Sequence, residues 1–513
     1  MKPQPRRLFD ITPSLERFTR TYNAGEPQVV TTRLVADLET PVSAYMKLSA
    51  QHSMSFLLES VEGGAVRARY SIIGLAPDII WRANGNVAEI NRSPHLSIDS
   101  FERINHSILT SMRDLFDESR IKMAEDLPPM AAGIFGYMGY DMVRLVENLP
   151  NKSLDVLGVP DALLIRPTLM VIFDSVTDQL IIVTPVRPSE KQVAGEAFNA
   201  AESRLNAVIK ALETPNRITS LIGTRSVDHK TAKSTSNTTP QDYMTMVNRA
   251  KDYIRAGDIF QVVLSQRFSI PFHLPPFALY RALRRTNPSP FLFHLDFKHF
   301  ALVGSSPEIL VRVRDGNITI RPIAGTARRG ANRNEDQIIA EQLLNDPKER
   351  AEHLMLLDLG RNDIGRVAKL GSVHVTDKFI VERYSHVMHI VSNVIGKLDN
   401  KYNAVDALMA GFPAGTVSGA PKIRAMEIID ELEKYKRGPY AGCVGYFSAD
   451  GNLDTCIVLR TAIVKDGIMH VQAGAGLVHD SIPEKEQQEC INKAKALMRA
   501  AEEAVRFSNL YQH

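Results

Sequence analysis

Apolar residues alternate with polar ones, or cluster in β-branched runs, through most of the first 185 positions. Between residues 71 and 90, "SIIGLAPDIIWRANGNVAEI" sets two such runs around "ANGN", which predicts a hairpin. "TLMVIFDSVTDQLIIVTPV" (168–186) repeats the pattern, with Asp174 to Gln179 as the turn. In "FERINHSILTSMRDLFDES" (101–119), Ile104, Ile108, Met112 and Leu115 follow helical spacing and predict a helix. Residues 193–213 predict a long amphipathic helix. Residues 224–240, "TRSVDHKTAKSTSNTTP", are polar and aperiodic and read as a linker. Thr239-Pro240 then caps a helix that stops near Gly257. Beyond it, strand pairs joined by short turns alternate with groups of helices. That order predicts an antiparallel α+β protein, and no fixed-period repeat appears.

Composition narrows the class. Of 513 residues, 44% are hydrophobic and 23% charged, the profile of a globular protein. Sixty-one basic and 58 acidic side chains leave a formal charge of only +3, so no nucleic-acid footprint is evident. Cys443, Cys456 and Cys490 are too few for a disulfide framework and form no zinc pattern. Arg6 and Arg7 precede no apolar stretch, which argues against a secretory signal. Arg166 and Asp174 interrupt the most apolar segment, which argues against a membrane span. The expectation is a cytoplasmic protein with neither a nucleic-acid nor a membrane partner.

Candidate chemistry begins with "DPKERAEHLMLLDLGRND" (346–363), where Glu349 and Glu352 stand three apart with His353 beside them. "SIPEKEQQECINKAKA" (481–496) offers a second such pair, Glu486 and Glu489, after Pro483. Two E-x-x-E faces can converge on a hard cation such as Mg²⁺. Acids in a first helical turn also suit the macrodipole with no metal at all. Glycine-rich turns at 321–330, 411–422 and 471–481 could form anion nests, yet none has the P-loop spacing. Arg460 ends an apolar strand, where it could hold a carboxylate or stand solvated. His389 lies in an apolar run, the usual place of a core histidine.

Taken in order, "PIAGTARRG", "DPKERAEHLMLLDLGRNDIGRV", "VMHIVS", "FPAGTVSGAPKIRAMEIIDELE", "GPYAGCVGYF", "DTCIVLRTA", "QAGAGLVHDS" and "EQQECINKAKA" resemble the chorismate-utilising enzymes. The narrower resemblance is to anthranilate synthase component I, and it extends upstream through "GIFGYMGYD" and "FLLESVEGGAVRARYSIIG". It implies large antiparallel sheets in a two-layered sandwich with helices packed outside. It further implies an N-terminal β-rich region (1–223) carrying a tryptophan-inhibition element, and a catalytic region (241–513). Related aminodeoxychorismate synthases carry Lys where this chain has Ala324, and isochorismate synthases carry Lys where it has Gln261. Both positions favour the ammonia-using, anthranilate-forming branch. Aminodeoxychorismate synthase, or a catalytically silent ligand-sensing relative, is the alternative.

By the same resemblance, Glu352 and Glu489, with Glu349 and Glu486 nearby, would hold Mg²⁺. Gly325 and Thr326 would flank the ring carboxylate of chorismate. Tyr440, Arg460, Gly474, Gly476 and Lys493 would surround its enolpyruvyl side. Glu308 would be the general acid, with His389 and Thr416 orienting the departing oxygen. Glu59, Ser60, Pro290, Leu292, Val444, Gly445, Tyr446 and Cys456 match the family's tryptophan pocket. No glutaminase elbow surrounds any cysteine, so a separate glutamine amidotransferase subunit is the expected ammonia source, in a heterodimer or heterotetramer.

Overall fold

A computed structural model describes residues 10–50, 52–62, 66–150, 153–215, 234–384 and 387–510. Its strands join one hydrogen-bonded network of 23, organised as two antiparallel sheets that share two long strands. Those two, Val66–Asn84 and Ala162–Asp174, pair from Tyr70–Asp174 to Ala83–Ala162, but the register slips between Pro77 and Ile79. Ala76 there takes a left-handed φ of 50°. The bulge bends both strands, so each end serves a different sheet.

One sheet continues from the shared strands through Ser55–Glu62, Phe291–Asp296, Phe300–Ser306, Thr461–Lys465 and Ile468–Leu477 to Gln261–Pro271. The other runs through Gly133–Met138, Cys443–Ser448, Leu453–Ile457, Ile309–Arg314 and Asn317–Ile320 to Val387–Lys397. Each sheet therefore joins a block of strands from before residues 224–240 to a block from after them.

Between the sheets lies an apolar layer that includes Phe56, Ile72, Phe135, Ile165, Met170, Leu295 and Val444. Helices cover the outer faces. Leu15–Asn23, Pro41–Ser49, Ala194–Glu213, Pro276–Thr286 and Pro483–Leu510 pack on one sheet. Ile108–Glu118, Pro347–Gly365 and Ala404–Gly411 pack on the other, while Pro240–Ala256 and Lys422–Leu432 pack against Gln261–Pro271 at the end of the first. The expected α+β sandwich with external helices is the observed architecture.

Local expectations hold with three differences. The hairpin turns between Asn84 and Val87, and the 193–213 segment is the helix Ala194–Glu213. The Thr239 hydroxyl accepts from Asp242 N, and Gly257 closes that helix at φ 84°. The helix expected within 101–119 begins only after its cap, Ser107, while Ile104 ends a short strand, Glu102–Ile104. The nine-residue helices Leu15–Asn23 and Pro41–Ser49 go beyond the expectation. Side-chain caps at Ser14 and Thr40 set their starts. Positions 224–233 of the expected linker lie outside the described residues; Thr235–Ser236 adds a short strand to Gln261–Pro271.

Candidate active site

The helix Pro347–Gly365 starts where Asp346 accepts hydrogen bonds from Lys348 N at 2.8 Å and Glu349 N at 3.3 Å. Leu356, Leu357, Gly360 and Ile364 bury one face and turn Glu349 and Glu352 toward a cleft. The C-terminal helix brings Glu486 and Glu489 to the same rim, and the charge of Glu489 adds to burial in raising the Glu352 carboxyl. Burial and the Glu352 charge raise Glu349, and burial with Glu489 raises Glu486. Such mutual repulsion marks a set of acids short of a counter-charge. Lys348 acts on Glu349, Glu352 and Glu486 alike, a compensating cation that the sequence pattern did not single out.

A chain of contacts ties the other expected residues to this rim. Gln261 Nε2 donates to Glu352 Oε1 at 3.2 Å, and a Cβ placed on Gly476 would meet that Nε2 at 2.8 Å. Lys493 pairs with Glu489 at 2.7 Å and donates to the Gly474 carbonyl at 2.9 Å. A Cβ on Gly474 would stand 2.9 Å from the Tyr440 hydroxyl. Gly325 takes φ +66°, and a Cβ there would lie 3.1 Å from Glu349 Oε2. The glycines thus leave backbone lining the cleft with no side chain in the way. Behind them, the buried pair Glu433–Arg437 holds the strand Gln261–Pro271 through Ser265 N and the Val263 carbonyl, with Arg437 also over the Tyr440 ring.

Glu308 and Thr416 form the polar end. The Thr416 hydroxyl lies 3.2 Å from both Glu308 carboxylate oxygens, and burial pushes the Glu308 carboxyl up to about 8. It is therefore a proton-bearing acid at neutral pH. The Arg460 charge acts on it, and burial lowers the guanidinium's own affinity for its proton. His389 Nδ1 donates to the Gly325 carbonyl at 2.8 Å, which leaves Nε2 as the lone-pair nitrogen. Burial holds that ring below the ordinary histidine range. Thr326 Oγ1 stands 3.2 Å from the same Nδ1. Tyr384, unmarked by any sequence motif, packs its ring 5.6 Å from His389 and acts on Arg460.

His353 does not join the acids beside it. Its Nε2 bonds Ser392 Oγ at 2.6 Å and its ring meets Phe379 edge-on, so burial drives it down to about 4 as a core group. Among the described residues, no three His, Cys, Asp or Glu side chains converge closely enough to hold a metal ion as they stand. The donors at the rim are nonetheless hard oxygens, and the Gln261 Oε1 beside Glu352 is buried without a partner. Hard oxygen donors of this kind would suit Mg²⁺ better than a softer metal.

Between the two sheets a second cavity, of about 400 Å³, is lined by Glu59, Ser60, Leu292, Val444, Gly445, Tyr446 and Cys456 among others. Pro290, expected with them, is not part of that lining.

A sandwich of this topology carrying an acid-rimmed, glycine-cradled cleft defines a class, and the chain belongs to the chorismate-binding enzymes, whose family model matches residues 76–499. It is 53% identical over 495 residues to anthranilate synthase component 1 of Cereibacter sphaeroides, covering 96% of this chain and 98% of that protein. With the component 1 protein of Thermus thermophilus it shares 47% identity, covering 92% and 97%. The crystal structure of anthranilate synthase component I from Streptococcus pneumoniae superposes with a TM-score of 0.74 at 39% identity, covering 91% of this chain and 99% of that one. The menaquinone-specific isochorismate synthase of Escherichia coli, at 22% identity and a TM-score of 0.69, shares the fold. No helix among the described residues is long and apolar enough to cross a membrane.

Proposed function

We propose that the chain is the chorismate-converting subunit of an anthranilate synthase, making anthranilate and pyruvate from chorismate and ammonia through 2-amino-2-deoxyisochorismate, the first step toward tryptophan. The observation that carries this is Glu308, a buried acid that keeps its proton at neutral pH beside Thr416 and Arg460. Addition of ammonia at C2 expels the C4 hydroxyl, a poor leaving group unless protonated, and Glu308 supplies that proton so that water departs. Thr416 and His389 orient the departing oxygen, and the lone pair on His389 Nε2 is the acceptor we assign to the C2 proton. Loss of pyruvate then aromatises the ring.

Arg460, Tyr440 and Lys493, with the backbone at Gly474 and Gly476, bind the enolpyruvyl side. Gly325 and Thr326 flank the ring carboxylate. Glu352 and Glu489, supported by Glu349 and Glu486, would hold Mg²⁺, which supplies positive charge against a dianionic substrate and a rim of acids. Gln261 and Ala324 leave no lysine to activate water or to attack the ring.

Ammonia would come from a glutamine amidotransferase partner, since no cysteine of this chain has a catalytic setting. Cys443, Cys456 and Cys490 are buried, and burial pushes each thiol well above its usual range. The inter-sheet cavity would take tryptophan as feedback inhibitor. The test is to incubate the folded chain with chorismate, Mg²⁺ and an ammonium salt and to follow anthranilate fluorescence. A folded chain that yields none, or one that hydrolyses glutamine by itself, refutes the proposal.

A further inference from the structure

Arg437 is one of the largest fully buried side chains, 2% exposed, and falls between two of the motif segments. A guanidinium shut away from water needs acceptors for its five N–H groups. Nε and Nη2 donate to the two Glu433 oxygens at 2.9 and 2.6 Å, which pairs the charge. Two further bonds leave the pair: Nη1 donates to the Val417 carbonyl at 2.8 Å and Nη2 to the Val263 carbonyl at 2.6 Å. Val417 follows Thr416 in the turn Gly415–Val417. Val263 belongs to the strand that begins at Gln261, and Glu433 accepts from Ser265 N of the same strand at 2.8 Å. The guanidinium also stands 5.7 Å from the Tyr440 ring and 4.7 Å from that of Tyr140, in the segment "GIFGYMGYD". One side chain thus meets the turn carrying Thr416, the strand carrying Gln261, and Tyr440. A buried ion pair adds little to folding over an apolar pair of the same volume. Its rigid fork, by contrast, fixes the direction of every acceptor it bonds.

We propose that Arg437 is the positioning residue that holds Thr416 against Glu308 and keeps this acid end in register with the Gln261 strand. It acts through the Val417 and Val263 carbonyls rather than on the substrate. The inference rests on the reading of Glu308 as general acid, and adds what fixes the geometry of its partner. A misplacement of about 1 Å at such a site costs about a hundredfold in rate.

The experiment replaces the pair as a unit. Glu433→Gln with Arg437→Met removes both buried charges, keeps an amide oxygen for Ser265 N and fills the volume of the stem. No unpaired charge remains, so the melting temperature should stay near that of the wild type. In ammonia-dependent anthranilate formation at constant free ammonia, kcat should fall about a hundredfold and KM for chorismate should change less than about fivefold. The pH profile of kcat separates positioning from mere structure. Burial raises the Glu308 carboxyl, and the Thr416 hydroxyl, donating to it, opposes that rise. With Thr416 displaced the carboxyl rises further, and the basic limb moves to higher pH. Ile323 N–H, Arg460 and Tyr384 also act on or feel Glu308, and Arg437 bonds none of them. Thr416→Val should move the limb in the wild type and no further in the double variant. Wild-type kcat in the double variant, or a kcat lowered equally at every pH, overturns the positioning role. Should the double variant fail to fold, Arg437→Lys, which keeps the charge beside Glu433 and loses the fork, is read by the same profile. A folded wild type that makes no anthranilate, or an unmoved limb in Thr416→Val, overturns the reading of Glu308 and the inference with it.

Discussion

Glu308→Gln separates the roles of burial and proton donation, because the two act on different measurements. Burial raises the wild-type carboxyl from about 4.5 to about 8. At pH 7 roughly nine-tenths of it therefore carries a proton, against well under a hundredth of an ordinary glutamate. Glutamine keeps the shape and lacks the transferable proton, so kcat should fall about 10²- to 10⁴-fold, the usual contribution of a general acid, with KM little changed. Stability moves the other way. A folded pKa raised above the unfolded value gives stability that is complete below about 4.5 and is lost as pH rises toward about 8. Between pH 5 and pH 7 the wild type should lose about 3 kcal/mol by this route, at about 1.36 kcal/mol per pH unit. The variant has nothing to ionise and should not. The assay is ammonia-dependent anthranilate formation at constant free ammonia, paired with denaturant unfolding at both pH values. A variant within fivefold of wild-type kcat, or unfolding curves that shift in parallel with pH, would refute the reasoning.

Other substitutions probe the remaining parts. Gly325→Ala should cost about 1–2 kcal/mol in the thermal or denaturant midpoint, because φ +66° disfavours a side chain, and should cut kcat/KM at least tenfold through its new Cβ beside Glu349. Unchanged kcat/KM would remove Gly325 from the cleft. Glu489→Gln should raise the Mg²⁺ concentration for half-maximal activity at least tenfold, and an unaltered Mg²⁺ titration would contradict its assignment to the metal. Ser60→Arg places a long cation in the inter-sheet cavity and should abolish tryptophan inhibition, read as the tryptophan concentration that halves ammonia-dependent activity. Inhibition retained at the wild-type concentration would count against the site.

The two E-x-x-E segments were legible because three-residue spacing on a helix is a local property. That they face one rim was not, since more than a hundred positions separate them in the chain. His353 shows the converse. Adjacent in sequence to Glu352, it is turned by the helix into the core against Ser392 and Phe379. Lys348 lies within a motif that drew attention to its acids alone, Tyr384 lies in none, and the importance of both comes from the charges they meet after folding.

Caps, turns and hydrophobic periods depend on groups a few positions apart, so the sequence alone settled the α+β class, the hairpin at Asn84–Val87 and the helix from Pro240 to Ala256. The motif order likewise settled the family. Tertiary structure decided what depends on distant chains sharing a low-dielectric interior. It bent two strands at Ala76 so that each serves both sheets, and it buried Glu308 deeply enough to hold a proton at neutral pH. The bend is a matter of register between distant strands and the raised Glu308 one of desolvation, and both are properties of the packed whole rather than of any stretch of chain.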